Sequence, residues 1–534
     1  MKLLILLTTC IFSTQTFADS NKTDPLPIPF AGIISTILER IDWDLDINGL
    51  GATTDPDDRF GQALAKGDFN GDGHEDVAIG IPYEDFFGGL VTDSGAVMIL
   101  YGNLDDGLRT TNRQFLYQGT DPSLDGVEED DRFGWSLTSG DYDGDGFDDL
   151  VVGSPFEDVD NGVSGNVING GIVNLFYGTA DGLETESLLI HQGTGTNNPG
   201  TEFVSQNDRF GWSLTSGDYD NDGFDDLVVS APLEDFGNAP ISNGGQVEVY
   251  YGDATGIDPE DRDSISQNSG GIENEVDAQD RFGWSVATGD FDGDNFDDLA
   301  IGVYGEDVLG EGGAGSVQVI YGGFSGLGSN DELLNQFGDI NGVHEAGDNF
   351  GYSIAAGNFN GDDYDDLLVG AYREDLEGDG ITNAGGIHII YGANNGLTTN
   401  GNQNFHQNSS GVQDVAENQD RFGEVVAAGD VNYDGFDDVL VGVPNEQVFG
   451  NAAGAFHILF GTASGVTTAS DILELTGVEG DDIGAAMVVG NFGNSERLAV
   501  GIPGDNSVNA EDDTGTVLVY RFQTDIIFKN GFDD

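Results

Sequence analysis

A unit that repeats along most of the chain constrains its fold more than any other feature. Six Phe-Gly dipeptides recur at nearly regular intervals, and a divergent seventh copy, Ile483-Gly484, follows them. The six copies begin at Phe60, Phe133, Phe210, Phe282, Phe350 and Phe422. Self-similarity at a nearly fixed period predicts a repeat architecture, in which each unit forms one supersecondary element.

Each unit is predicted to form four β-strands. Short runs rich in Val, Ile, Leu and aromatic residues alternate with Gly/Asp-rich turns, and no run shows a sustained helical period. In the second unit these runs are Phe133–Ser136, Leu150–Gly153, Gly171–Gly178 and Leu188–Gln192. Seven four-stranded antiparallel units predict an all-β fold, a seven-bladed β-propeller. A β-solenoid is the competing architecture, but its rungs are usually about 20–30 residues long, far shorter than this repeat.

A propeller ring must also join the two ends of its chain. The seventh unit has a third strand at Gly515–Phe522, and little chain remains for a fourth. Upstream of the first unit, Ile41–Ile47 alternates apolar and acidic residues. We therefore expect an N-terminal strand at 41–47 to complete the last blade, with Asp525–Phe528 as the alternative donor. The predicted organisation is a linker at 19–40, the propeller at 41–523 and a C-terminal tail at 524–534, which could be a sorting signal.

The N-terminal segment, 1–18, has the layout of a secretory signal peptide. Lys2 precedes an apolar run from Leu3 to Phe12, and the small residue Ala18 precedes Asp19. A membrane anchor is the alternative, but the run is shorter than the roughly 20 residues that span a bilayer. We expect a secreted, cell-surface or periplasmic protein. The only cysteine, Cys10, lies in this segment, so the mature chain cannot use disulfides.

The charge excludes two classes of partner. With 97 acidic and 16 basic residues, the chain carries a formal charge of −81. Nucleic acids and anionic lipid surfaces both require basic patches, so neither is an expected partner. Aromatic residues make up 10% of the chain, which indicates a folded protein rather than a disordered acidic tail.

Acidic loops at a fixed spacing follow the first predicted strand of six units. Positions 1, 3, 5 and 9 carry Asp or Asn, and position 6 carries Gly, Asn or Asp, which tolerate a left-handed backbone. Calcium takes six to eight oxygen ligands, and the backbone carbonyl at position 7 adds one. We predict up to six calcium ions, one per loop. Their ligands are Asp68, Asn70, Asp72, His74 and Asp76; Asp141, Asp143, Asp145, Phe147 and Asp149; Asp218, Asp220, Asp222, Phe224 and Asp226; Asp290, Asp292, Asp294, Phe296 and Asp298; Asn358, Asn360, Asp362, Tyr364 and Asp366; and Asp430, Asn432, Asp434, Phe436 and Asp438.

Other interpretations of these loops are acidic turns without metal, an EF-hand or a magnesium site. An EF-hand requires Glu at position 12, where the first two loops have Ile79 and Val152. Magnesium keeps more of its waters, so calcium is favoured. The fifth loop has two carboxylates among its four side-chain ligands, and the metal-free alternative is strongest there. The seventh copy, Gly490–Arg497, lacks the aspartates, and we predict no metal in it.

One family resemblance rests on these motifs. Phe350-Gly351-Tyr352-Ser353, followed by the acidic loop and by Leu367-Leu368-Val369-Gly370-Ala371, resembles the FG-GAP repeat of integrin α-subunit head domains. The resemblance covers about residues 41–523. It implies a seven-bladed propeller with calcium in the loops between strands one and two, and ligand binding on the opposite face. Integrin leg domains and a transmembrane helix have no counterpart here, and the acidic loops occupy the first six units rather than the later ones.

Two further sets of residues recur. Arg59, Arg132, Arg209, Arg281 and Arg421 precede Phe-Gly, and Glu-Asp pairs follow the second strands at 84–85, 157–158, 234–235, 306–307 and 374–375. We expect these arginines and acids to pair, with a second ring of cation or ligand sites as the alternative. One repeat position carries Trp135, Trp212, Trp284 and Tyr352. For these, core packing between blades is favoured over a sugar-stacking ring.

No catalytic motif for acyl transfer, zinc hydrolysis or phosphate binding is present, so an enzyme is not expected. The sequence favours a calcium-binding recognition or cell-adhesion module, monomeric, with an unknown extracellular protein or glycan as its ligand. The alternative is a polysaccharide-binding lectin, or a polysaccharide-active enzyme that uses the channel face of the propeller.

Overall fold

The computed structural model describes most of the chain from residue 57 onwards, together with one segment near the N-terminus. The described residues are 35–42, 57–104, 107–108, 113–120, 126–160, 166–194, 204–236, 241–272, 274–328, 330–337, 340, 345–376, 380–448, 451–452, 454–474, 482–493, 496–505 and 515–522.

These residues form β-strands and a single 3₁₀ turn at Gln118–Thr120. In chain order the strands are β1 Ser35–Asp42, β2 Leu64–Gly67, β3 Asp76–Ile81, β4 Ala96–Leu100, β5 Arg113–Leu116, β6 Ser136–Gly140, β7 Asp149–Ser154, β8 Val159–Asp160, β9 Asn166–Val167, β10 Ile172–Phe176, β11 Leu188–Ile190, β12 Leu214–Gly217, β13 Asp226–Ala231, β14 Gln246–Tyr250, β15 Arg262–Ile265, β16 Ser285–Gly289, β17 Asp298–Val303, β18 Ser316–Ile320, β19 Asp331–Leu334, β20 Phe350–Gly357, β21 Asp366–Ala371, β22 Gly386–Tyr391, β23 Thr398–Phe405, β24 Val425–Gly429, β25 Asp438–Val443, β26 Gln447–Val448, β27 Asn451–Ala452, β28 Ala455–Phe460, β29 Thr467–Glu474, β30 Ala486–Val489, β31 Glu496–Ile502 and β32 Thr516–Phe522.

The strands form seven four-stranded antiparallel sheets, and the predicted seven-bladed β-propeller is confirmed. Blades one to six contain β2–β5, β6-β7-β10-β11, β12–β15, β16–β19, β20–β23 and β24-β25-β28-β29, and blade seven contains β30-β31-β32-β1. Blades two and six each have an additional two-stranded sheet, formed by β8-β9 and β26-β27. The first strand of each blade contacts the first strands of both neighbouring blades, so these strands surround the central channel.

The core lies between the blades. Apolar residues of adjacent sheets form one cluster at each of the seven interfaces, including that between the first and last blades. At this closing interface Phe60 and Met98 pack with Phe492 and Val517. Every residue of the second strands β3, β7, β13, β17, β21 and β25 is buried. Burial on both faces accounts for their continuous apolar runs.

The Phe-Gly motif fastens each blade to the one before it. Phe133 is fully buried, and its N–H donates to the carbonyl of Ser94 at 2.9 Å, in the preceding blade. Gly134 has a φ of 90°, which favours glycine. Its carbonyl oxygen would lie 2.2 Å from a Cβ added to Gly80, so close packing favours glycine at that position in the second strand of the preceding blade.

An N-terminal strand closes the ring, as predicted, but it lies upstream of the predicted position. Strand β1 pairs antiparallel with β32, with Ser35 opposite Phe522 and Asp42 opposite Thr516, and the register shifts between Ile37 and Glu39. The strand thus begins inside the segment predicted as a linker at 19–40. Alternation alone pointed to 41–47, whereas Ser35–Asp42 is richer in β-branched residues, which favour strands. Residues 43–47 and the alternative donor, Asp525–Phe528, lie outside the described residues.

Candidate calcium-binding loops and the opposite face

The six acidic loops lie on one face of the propeller, because each joins the first strand of its blade to the second. In blade two, Asp141 directly follows β6, and Asp149 is the first residue of β7. The Phe-Gly motifs lie at the other end of the first strands. The two sets of repeated residues therefore occupy opposite faces.

The backbone of the loops is folded around the carboxylate at position 1. In blade two, Asp141 accepts hydrogen bonds from the N–H groups of Asp145, at 3.1 Å, and Gly146, at 3.0 Å, through its two oxygens. Asp145 accepts from the N–H of Phe147 at 3.1 Å. The first, third, fourth and sixth loops repeat these three bonds. Position 6 is left-handed in these loops, as predicted, at Gly73, Gly146, Gly223, Asn295 and Gly435.

The predicted ligands converge. Carboxylate oxygens of Asp141, Asp143 and Asp149 lie within 4.8 Å of one another, and those of the third and fourth loops do likewise. The converging groups there are Asp218, Asp220 and Asp226 in the third loop and Asp290, Asp292 and Asp294 in the fourth. In the first loop Asn70 occupies position 3, and its Nδ2 donates to both oxygens of Asp76, at 3.3 and 3.1 Å.

The carboxylate at position 9 is buried and anchors the hairpin. Asp149 accepts from the N–H of Tyr142 at 3.1 Å and from the N–H of Gly178, which follows the third strand, at 2.8 Å. All six loops repeat both bonds. Burial, with smaller contributions from neighbouring aspartates, raises the pKa of Asp149 to about 8. A cation beside this group would favour its charged form.

The acid at position 8 joins neighbouring loops, a role that sequence reasoning missed. Asp225 accepts from the N–H of Asp141 in the preceding blade at 2.8 Å, and its own N–H donates to the carbonyl of Asp141 at 3.1 Å. Asp148, Asp297, Asp365 and Asp437 form the same two-bond bridge. Adjacent acids at positions 8 and 9 were visible in the sequence, but only the spacing between blades shows that the first of them crosses to the preceding loop.

The aromatic residue at position 7 packs across the same gap. A Cβ added to Gly71, at position 4 of the first loop, would lie 2.5 Å from the ring of Phe147 in the second. Phe224, Tyr364 and Phe436 approach Gly144, Gly293 and Gly361 in the same way. The side chain at position 7 is thus an inter-blade contact, and its backbone carbonyl remains the predicted ligand.

The fifth loop differs from the prediction. Asp363, at position 6, is not left-handed. Position 1 is Asn358, whose single amide oxygen accepts from the N–H of Gly361 at 2.7 Å, while its Nδ2 donates to the carbonyl of Asp362 at 2.6 Å. An amide has one acceptor oxygen where a carboxylate has two, and in this loop that oxygen accepts from the N–H of Gly361, at position 4, rather than from the N–H groups at positions 5 and 6. The physical case for metal is therefore weakest in this loop.

The seventh copy keeps the bridge between blades although it lacks the acids. Glu75 of the first loop occupies position 8; its N–H donates to the carbonyl of Asn491 at 3.0 Å, and its carboxylate accepts from the N–H of Asn491. Lys66 pairs with the same carboxylate at 3.0 Å. The loops of the first and last blades are thereby joined. The absence of metal from this copy stays a prediction.

On the opposite face the repeated arginines stack on aromatic rings, which sequence reasoning did not predict. Arg209 Cζ is 4.0 Å from the ring centre of Phe156, and Arg132 Cζ is 4.1 Å from the same ring on its own blade. Arg281 Cζ lies 5.0 Å from the ring centre of Tyr304. These rings come from the same unit as the arginine or from the neighbouring unit.

The predicted pairing of arginines with the Glu-Asp pairs is wrong for Arg209 and Arg281. Burial lowers the pKa of both guanidinium groups, and the charged neighbour that affects Arg209 is Arg132 rather than an acid. The aspartates of the pairs instead accept backbone hydrogen bonds from the following loop, as Asp158 does from the N–H of Asn169 at 2.8 Å.

The tryptophans of this face form a continuous array across four blades. Ring centres are 5.0 Å apart for Trp135 and Trp212, 4.6 Å for Trp212 and Trp284, and 5.7 Å for Trp284 and Tyr352. All four rings are half-buried, so they pack between blades and also leave part of their surface exposed to solvent. We call these four rings, with Arg132, Arg209 and Arg281 stacked beside them, the aromatic arc.

Comparison with known families agrees with this geometry. Six segments match the FG-GAP repeat model, at residues 60–100, 133–168, 210–251, 282–320, 350–390 and 422–459. The chain is an FG-GAP repeat protein. Each segment contains the acidic loop described above, and the resemblance to the integrin α propeller is confirmed.

The relatives include integrin α-subunits and a phospholipase. Integrin alpha-PS2 of Drosophila melanogaster is 32% identical over 261 residues, 48% of this chain and 16% of that protein. Phosphatidylinositol-glycan-specific phospholipase D of Rattus norvegicus is 32% identical over 196 residues, 36% of this chain and 20% of that protein. The FG-GAP chain thus spans a fifth or less of the length of these two relatives.

Among solved structures, the rhamnogalacturonan lyase PL11 of Bacillus licheniformis matches 91% of this chain and 76% of its own at 13% identity, with a TM-score of 0.41. No helix of the described residues is long and apolar enough to cross a membrane.

Proposed function

We propose that this FG-GAP protein is a calcium-binding recognition module of the extracellular space, in which calcium in the hairpin loops is structural. The convergence of three carboxylates in each of the second, third and fourth loops carries the proposal. All predicted donors are oxygens, as calcium prefers, and two oxygens bound to one ion at about 2.4 Å lie at most about twice that distance apart. The spacing within each group satisfies this limit.

A bound calcium ion would attract the aspartates of these loops, which repel one another when no cation is present. Each loop of blades two, three and four carries aspartate at all four side-chain ligand positions, and three of these aspartates converge. The position-8 bridges add a carboxylate from the neighbouring blade. Without a cation these groups repel one another, because the charged forms lie close together and partly buried. A bound ion would fix the hairpin between the first two strands of a blade in a chain without disulfides.

Thermal unfolding in calcium and in chelator tests the proposal. A ligand that binds only the folded state stabilises by about 2.7 kcal/mol per site when it is present at 100 times its dissociation constant. We expect a large rise in Tm in millimolar calcium over chelator, reduced by Asp143→Asn, which removes a converging carboxylate. Asp363→Asn, in the fifth loop, is the matched control. An equal Tm in calcium and chelator would contradict the proposal.

The recognition role rests on the relatives and on the predicted signal peptide at 1–18. A protein exported by this segment would meet an extracellular protein or glycan. Affinity capture from native extracellular milieu, with calcium and with chelator, tests this role. A partner retained only in calcium supports it, whereas the precursor remaining uncleaved in the cytoplasm contradicts it.

The aromatic arc favours a second candidate, the binding of an acidic polysaccharide. Indole rings stack on the apolar faces of sugars, and the stacked arginines provide positive charge for carboxylate groups in an otherwise acidic protein. Titration with a uronic-acid polymer should quench tryptophan fluorescence, and a neutral polymer should not. Trp212→Ala with Arg209→Gln should abolish the effect, and persistence of quenching in that variant would contradict this candidate. The adjacent channel is lined by apolar residues and serines such as Leu137, Leu214, Met487 and Ser213, to which we assign no catalytic role.

A further inference from the structure

A second set of acids converges on the face opposite the hairpin loops. Carboxylate oxygens of Glu417, Asp420 and Glu446 lie within 4.8 Å of one another. Asp420 immediately precedes the Arg421-Phe422-Gly423 turn that leads into β24, and Glu446 follows β25. The group therefore lies at the end of the sixth blade remote from its calcium loop, at the junction with the fifth blade. We call it the sixth-blade cluster.

Two buried oxygens of this cluster have no hydrogen-bond partner. Asp420 is 0% exposed and its Oδ1 accepts no hydrogen bond; Gln407 of the fifth blade is 1% exposed and its Oε1 likewise accepts none. The other end of each group is anchored: Asp420 accepts from the N–H of Glu417, and Gln407 Nε2 donates to Glu446 at 2.5 Å. Buried acceptors normally have partners, so these oxygens indicate a missing one.

The charges that act most strongly on the cluster are negative. The strongest electrostatic neighbours of Asp420 are Glu417 and Asp414, and those of Glu446 are Asp420 and Asp414. Burial, with these acids, raises the pKa of Asp420 to about 6 and that of Glu446 to about 8. Buried carboxylates are stable only when paired, coordinated or protonated. The partner is therefore either a cation or a shared proton.

We propose that Glu417, Asp420, Glu446 and the amide oxygen of Gln407 bind a calcium ion between blades five and six, separate from the hairpin-loop sites. Every donor is an oxygen, and calcium accepts both monodentate and bidentate carboxylates and amide oxygens. Glu417 is exposed, which provides a path for the ion from solvent. The ion would join Gln407, which follows the fourth strand of blade five, to the acids of blade six.

The second blade repeats the converging acids and the unpartnered amide oxygen of this arrangement. Oxygens of Glu128, Asp131 and Glu157 also lie within 4.8 Å of one another, and Gln118 Oε1 is buried without a hydrogen-bond partner. In the third blade, Asp208, Glu234 and Gln192 keep the other positions, but Ser205 replaces the exposed acid. The third blade is thus a natural comparison that lacks one carboxylate of the set.

Counting bound calcium ions by native mass spectrometry of the full chain tests the proposal. We expect Glu446→Gln to lose one ion relative to the unsubstituted protein, and Asp430→Asn, in the hairpin loop of the same blade, to lose a different one. The double variant should lose two. Asp208→Asn, in the third blade, should keep the full count. If Asp430→Asn keeps the full ion count while Glu446→Gln loses one ion, the result contradicts the hairpin-loop sites and still supports the site at the sixth-blade cluster.

Glu417→Gln provides a variant at an exposed position, where folding is not at risk. This variant should lower the affinity of the cluster for the same ion and reduce the rise in Tm that calcium produces. The proposal is overturned if Glu446→Gln and Glu417→Gln both keep the ion count and the calcium-dependent rise in Tm. In that case we expect Glu446→Gln to raise Tm equally in calcium and in chelator, because the cluster then holds only a shared proton. Anomalous scattering from calcium-grown crystals would locate the ion independently.

Discussion

Single glycines determine how closely the blades approach. The carbonyl of Gly423, in the sixth Phe-Gly motif, would lie 2.1 Å from a Cβ at Gly370 of the preceding blade. The third blade has Ser230 at this position, and a Cβ added to the following motif glycine, Gly283, would lie 3.2 Å from the Ser230 Cβ. Packing between blades, rather than backbone conformation, therefore favours glycine at this position, since no left-handed φ occurs at Gly370.

Gly370→Ala should destabilise the protein by about 1–3 kcal/mol, the usual range for an added methyl group in a packed interface. The methyl would contact backbone, which cannot move as a side chain can. Gly323→Ala is the control, because no atom lies within 4 Å of its added Cβ. Chemical denaturation measures both variants, and equal midpoints for the two would show that the blades can separate freely.

The position-8 carboxylates make a second residue-scale prediction. Asp225→Ala would leave the N–H of Asp141 without its acceptor, at a typical cost of about 1–3 kcal/mol. Asp225→Asn keeps an acceptor oxygen and removes a charge that lies near Asp148 and Asp141. We expect the Asn variant to be more stable than the Ala variant, because only Asn keeps an acceptor for this N–H. Thermal unfolding of both variants checks this order, and equal stability would show that the bridge does not depend on an acceptor at position 225.

At the scale of the elements, the ring depends on one strand contributed from the far end of the chain. Strand β1 pairs with β32 and completes the seventh blade. Its loss would expose the edge of β32, and an exposed edge strand invites pairing with other chains.

A chain that begins at residue 43 should therefore show a strongly reduced Tm and concentration-dependent association. A chain that begins at residue 33, which removes only the residues before β1, is the control. Light scattering and calorimetry at two concentrations separate the effects. If the shorter chain matched the control in both measurements, closure by β1 would not contribute to stability.

Sequence reasoning recovered the elements more completely than their contacts. Period, strand number and loop positions followed from the spacing of Phe-Gly and of the aspartates, because each reflects structure within one unit. The exact closing strand did not follow, since alternation in Ile41–Ile47 carries no information on register with β32. The arginines were assigned to acids because charge was the visible signal, whereas Arg209 stacks on a ring of the neighbouring unit. Contacts between blades depend on the angle between sheets, which a single unit does not encode.

At the scale of the whole molecule, the acidity should make stability depend on pH in an unusual direction. In calcium-free buffer, burial and the nearby Glu374 raise the pKa of Asp348 to about 8, and burial raises that of Glu374 to about 7. Unfolded carboxyls titrate near pH 4, so between about pH 4 and pH 8 the folded chain binds more protons than the unfolded chain. Stability should therefore fall as the pH rises through this interval.

Denaturant midpoints in chelator at pH 5, 6, 7 and 8 measure this slope. The Asp348→Asn, Glu374→Gln double variant should make the slope shallower, because neutral amides cannot take up these two protons, while other buried carboxyls such as Asp149 still can. Glu311→Gln, at an exposed position, should leave it unchanged. A midpoint that rises with pH in the unsubstituted protein would contradict the assigned direction.

The bridges between hairpin loops have a consequence for how the ions bind. Position 1 of a loop is both a predicted ligand and the residue whose backbone is held by position 8 of the next loop, so ordering one loop orders part of its neighbour. Neighbouring sites would then fill cooperatively, as linked positions on a one-dimensional lattice. The fifth and seventh loops, with their altered acids, would interrupt that lattice and divide it into separate cooperative segments.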